Sequence, residues 1–181
     1  MNAAVAQRED NFEWLGKEMR AKSMTYEVSV RATGEKPIGW EDKAGAFAKM
    51  DDELQKDLAY IIATGDFADN KAAYKRVIVF LTKSILAVAS NEKKYKKDKL
   101  PTICRKIAEM ELFFFLYDFL REDYTLQGKL RFVGLLEHLE VKTYQNQWQH
   151  YGDAIRLMLG EAKGTAYLHI ERYRIELYKN S

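Results

Sequence analysis

GLLEHLEVKTYQNQW, residues 134–148, carries the residue spacing of a helix-turn-helix. Gly134 falls at the small-residue position of the first helix, needed where two helices cross at roughly 90–120° and their backbones nearly touch. Leu139 then takes the apolar position of the turn and Tyr144 the inward position of the second helix. Thr143 and Trp148 complete the pattern. Lys142, Gln145, Asn146 and Gln149 are left facing outward, as long polar groups that reach base edges or phosphates. Lys129 and Arg131, just ahead of the turn, are cationic candidates for the same contact. His138 stands where a turn glycine is usual; histidine tolerates left-handed backbone better than most residues, but less well than glycine. A helix pair with no DNA role can show this spacing by chance, so a purely structural reading stays open beside the functional one.

Outward from this stretch, the predicted fold is all-α: a helical bundle with a C-terminal helix-turn-helix at about 128–150 and a long last helix. The 181 residues are 47% hydrophobic and 31% charged, enough for one globular domain with a buried core. Apolar residues recur at steps of three and four from Ala46 through Met50, Leu54 and Leu58 to Ile62, ending near Gly65. A second run covers Tyr74 to Val88. After Pro101, with Thr102 as its expected cap, a third is apolar on most faces from Ile103 to Leu120, which places it at the bundle centre. The last helix, from about Asp153, carries a seam of Ile155, Leu159, Ala162, Ala166, Ile170, Tyr173 and Leu177 for another helix of this chain or of a second copy, the second alternative being a homodimer.

Residues 1–39 read as an arm and linker, and 40–181 as the helical domain. Phe12, Leu15 and Met19 would share one face of a short N-terminal helix, or the segment is a frayed arm. TYEVSVR, residues 25–31, alternates like a short extended segment, and Gly34, Pro37 and Gly39 mark the linker.

The formal charge is only +2, which neither demands nor excludes nucleic acid. Its distribution is more telling: Lys93, Lys94, Lys96 and Lys97 crowd together ahead of Lys99, Arg105 and Lys106, with Asp98 the only acid in the run. That is a candidate phosphate-binding patch, or a solvated loop.

Catalytic signatures are missing: no phosphate-binding glycine loop, no HExxH pair, no GxSxG elbow. No catalytic residue, metal ligand or cofactor is expected. The three histidines have no metal-binding spacing, and Cys104 stands alone, so a thiolate zinc site and an intrachain disulfide are both out of reach. Asp51, Asp52 and Glu53 read as complements to a helix dipole. The aromatic triplet at 113–115 reads as core packing. The N-terminal MNAAVAQREDNFEWLGKEM lacks a signal-peptide pattern, and the longest apolar run, Leu112 to Leu120, is roughly half a membrane span. A cytoplasmic protein with no membrane partner is the expectation.

From Cys104 to Tyr173 a basic and aromatic helix is followed by YTLQGKLRFVGLLEHLEVKTYQNQW and then a long charged helix. In that order the chain resembles the sigma-region-four-like modules of small bacteriophage regulators, and among these the late antitermination proteins of the Q type. The resemblance implies a phage protein that binds double-stranded DNA near a late promoter and engages RNA polymerase. Lys142, Gln145 and Asn146 would then lie at the DNA. The alternative function is a helical protein-protein interaction module, an inhibitor or assembly factor without DNA binding.

Overall fold

The computed structural model describes residues 10–21, 40–65, 67, 71–92 and 99–179, with the backbone alone at 18–21 and 40–42. Among the described residues there are eight α-helices and two short 3-10 turns, and no strand; the fold is all-α as expected. The extended segment expected at 25–31, the linker at 32–39, the Met19 side chain and Lys93, Lys94, Lys96 and Lys97 lie outside the described residues.

The chain divides into two compact units, residues 1–66 with 163–181, and residues 67–162. The first is built from α1 (Asn11–Ala21), α2 (Trp40–Ala48), α3 (Glu53–Thr64) and the later part of α8 (Gln149–Lys179). Asp10 opens α1 by accepting from the Phe12 amide at 2.9 Å. Asp52 does the same for α3, taking an extended backbone and accepting from the Gln55 amide at 2.9 Å. That cap is why the apolar run from Ala46 to Ile62 is two helices, and it gives the Asp51–Glu53 cluster the helix-start role read from sequence. Phe12, Trp14 and Leu15 are buried in one core with Met50, Ala59, Ala63, Ala166 and Ile170. Of the two readings of the N-terminal segment, α1 follows the helical one, with Phe12 and Leu15 in a core shared with α3 and α8. Lys43 is buried there too, donating to the Trp14 carbonyl oxygen at 2.9 Å.

The second unit holds α4 (Ala72–Glu92), α5 (Lys99–Leu116), α6 (Leu126–Phe132), α7 (Val141–Gln147) and the start of α8, with 3-10 turns at Asp118–Leu120 and Leu135–Glu137. α5 begins two residues before Pro101, so Thr102 lies inside the helix and does not cap it. Proline is tolerated there because first-turn amides have no intrahelical acceptor to lose. α5 buries Ile103, Cys104, Ile107, Met110, Leu112 and Phe114 and packs against α4, α6 and both 3-10 turns. It is the centre of this unit, as its nearly all-round apolar pattern predicts.

α8 starts at Gln149, four residues before the expected Asp153. Ile155, Leu159, Ala162, Ala166 and Ile170 of its seam are buried within this chain. Tyr173 and Leu177 pack half-buried against the same core as Ala166 and Ile170, so the seam has partners within this chain.

Candidate nucleic-acid interface

Thr125 caps α6 by accepting from the Gly128 amide at 3.1 Å. The helix stops at Phe132 because Gly134 adopts φ 73° and ψ 20°, a left-handed conformation that L side chains rarely take. A single 3-10 turn follows, Glu140 is extended, and α7 begins at Val141. This corrects the sequence reading in two places. Gly134 does not sit inside the first helix of a helix-turn-helix; it ends that helix. His138, with φ −116° and ψ −29°, has no need of glycine-like freedom, because the left-handed residue has moved four positions upstream.

The inward and outward sides of α7 fall where the spacing puts them. Leu139 is 5% exposed, Tyr144 2% and Trp148 0%. The Trp148 amide donates to the Tyr144 carbonyl at 2.8 Å, closing the helix, and its ring lies 5.5 Å from that of Tyr151. Lys142, Gln145 and Asn146 are exposed at i, i+3 and i+4, one face of the helix. Gln149, at the start of α8, and Arg131, at the end of α6, are exposed as well.

Lys129 is different. It is half-buried, with its ammonium 5.3 Å from the centre of the Phe114 ring. Burial, helped by repulsion from Arg121, pulls its pKa below the ordinary lysine value. Its ring contact seats α6 on α5.

Beneath α7 lies a charged hub that spacing does not reveal. Glu111, buried on α5, faces Arg121 Nη2 at 3.2 Å and Arg156 Nε of α8 at 3.1 Å, both through Oε2. Arg156 also pairs with Asp153, and Arg121 Nε donates to the Phe114 carbonyl at 3.4 Å. Burial pushes the Glu111 carboxyl pKa up, and the two guanidinium groups only partly pull it back. Burial and the Glu111 charge likewise raise the Tyr144 hydroxyl. Gly152 lets α8 come this close: a Cβ there would meet Glu111 Oε1 and Tyr144 Oη at 2.8 Å each. The sequence offered one clue, an acid at position 111 inside the most apolar helix; its partners are ten and 45 residues away, and no periodicity links them.

The same unit carries a groove of about 1120 Å³ along α4 and α5. Ile78, Val79 and Val133 supply aliphatic floor, Phe113 and Phe132 aromatic floor, and Lys75, Lys83, Arg105 and Lys106 the rim. Phe113 packs 4.6 Å from Phe132 and 4.7 Å from Tyr117, while Phe114 is buried, so the triplet belongs to the core only in part.

Cys104 is buried, and burial pushes its thiol pKa to about 11. His150 is exposed, with its ring 3.9 Å from Tyr151 and Nε2 3.8 Å from Glu92 Oε2, and Tyr151 donates to that same oxygen at 2.5 Å. Among the described residues no three His, Cys, Asp or Glu side chains converge as metal ligands, and no helix is long and apolar enough to cross a membrane. Against protein-family models, curated proteins and solved structures, the chain finds no match.

Proposed function

We infer that this chain is a non-enzymatic transcription regulator that binds double-stranded DNA through α7. The observation that carries the reading is the division of one short helix: Tyr144 and Trp148 buried, Lys142, Gln145 and Asn146 exposed together on the other face. A rigidly seated helix with three adjacent long polar side chains can enter a major groove and hydrogen-bond base edges. Arg131 and Gln149 flank that face for phosphate contact. On this reading the protein works in the cytoplasm, and the Q-type resemblance makes RNA polymerase its second partner and a phage genome its source.

The lysine run supplies the affinity common to all sequences. Replacing Lys93, Lys94, Lys96 and Lys97 by glutamine should weaken binding to random duplexes about uniformly and flatten the salt dependence, because each phosphate neutralised releases counterions. Random-duplex binding of parent and variant at two salt concentrations tests the reading. Steep salt dependence in the parent is expected. A parent that binds no duplex at low salt would leave the interaction module as the better account.

A further inference from the structure

The groove on α4 and α5 is not used by the DNA reading, and its chemistry is that of a peptide site. Lys75, Val79 and Lys83 follow one another at four-residue steps on α4, so the groove runs about 12 Å, a little over two helical turns. α5 returns after a six-residue connection and packs along α4, which makes the two antiparallel neighbours. Lys83 therefore lies across from Arg105 and Lys106 at one end of the groove. Phe113 and Phe132 lie toward the other end, where Lys75 stands on α4.

We propose that this groove docks an acidic amphipathic helix of a partner protein. Val79 and Phe132 are about half exposed, at 51% and 50%, an apolar floor left open to solvent. The rim sets four cations against one carboxylate, Glu109. That carboxylate is already shared between Arg105 Nε at 2.8 Å and Lys106 Nζ at 3.4 Å, so the rim has excess positive charge to offer. The complementary occupant places apolar side chains on the floor and carboxylates at the edges, in the manner of a helix laid in a groove. Single-stranded nucleic acid fits worse: bases need open ring faces, whereas Phe113 is closely flanked by Phe132 and Tyr117, Phe67 packs 5.2 Å from Tyr117 and Tyr74 is buried.

The test uses the full chain and a fluorescein-labelled helical peptide of about four turns, with Leu and Phe at i, i+3, i+4 and i+7 and Glu elsewhere. Its counterparts are the same peptide with Lys for Glu, and oligo(dT). The acidic peptide should bind by anisotropy at least about tenfold more tightly than the basic one. Val79→Glu and the double variant Lys75→Glu/Lys83→Glu should each weaken it by about tenfold or more while melting like the parent, since all three side chains are exposed. Replacing Lys142, Gln145 and Asn146 by alanine should leave peptide binding unchanged, which separates this proposal from the DNA reading. Equal binding of both peptides, binding insensitive to the groove variants, or tight oligo(dT) binding in place of the peptide would each overturn the proposal. So would a parent dimer in sedimentation that Val79→Glu dissociates, which would assign the groove to a second copy.

Discussion

A Cβ built on Gly152 of α8 would stand 2.8 Å from the Glu111 carboxylate of α5, closer than real Cβ contacts come. The same Cβ would crowd the Tyr144 hydroxyl, so one missing methyl lets three helices meet beneath the candidate DNA-reading face.

Gly152→Ala should therefore destabilise the protein by about 1–3 kcal/mol in urea unfolding, despite alanine's higher helix propensity. The controls lie on the same helix. Gly160 and Gly164 are exposed with open space around them, and alanine at either should stabilise by about 0.5–1 kcal/mol. If all three changes stabilise alike, the close approach at Gly152 is not real.

Glu111 gives a pH signature. Its folded pKa is raised above the unfolded carboxylate value of about 4.3, mainly by burial, so the folded state holds this proton more tightly than the unfolded chain. The group's contribution to stability is fully present below the unfolded pKa and is lost as pH rises through the folded one. The stability of the parent relative to Glu111→Gln should thus be greatest near pH 4 and decline toward neutrality. An advantage that grows with pH would mean that Arg121 and Arg156 dominate over burial.

Cys104 should be inert in the native protein. With its pKa pushed to about 11, the thiolate is about one part in a thousand at pH 8, against roughly a quarter in an unfolded chain. Alkylation by iodoacetamide at pH 8 should be about two orders of magnitude slower before unfolding than after. Rapid native labelling would contradict the burial.

Apolar periodicity made the helices legible: the patterns of α4, α5 and α8 depend on steps of three and four residues, and burial follows them at Val77, Leu81 and Ile85 or at Ile155 and Leu159. Local backbone choices were harder to read. Asp52 splits an apparently continuous pattern by capping α3, and Gly134 takes a left-handed turn where the motif template wants a helical residue. The sides of α7 were legible because Tyr144 and Trp148 are bulky apolar residues four apart among polar ones. The Glu111 hub was not, since ion pairs join residues by position in space and leave no mark in spacing. Nor was the groove, whose rim is divided between two helices.

The central claim is that Lys142, Gln145 and Asn146 read DNA, and competition binding of a preferred duplex against random duplex, with melting on the same samples, tests it most directly. Exposed helix positions tolerate alanine within about half a kcal/mol, so Lys142→Ala, Gln145→Ala and Asn146→Ala should melt like the parent. A side chain that reads a base pair supplies about 1–3 kcal/mol of discrimination, so each variant should lose roughly five-fold or more of its preference for the specific duplex. Three variants that melt normally and keep the parent's full preference would show that α7 does not read DNA.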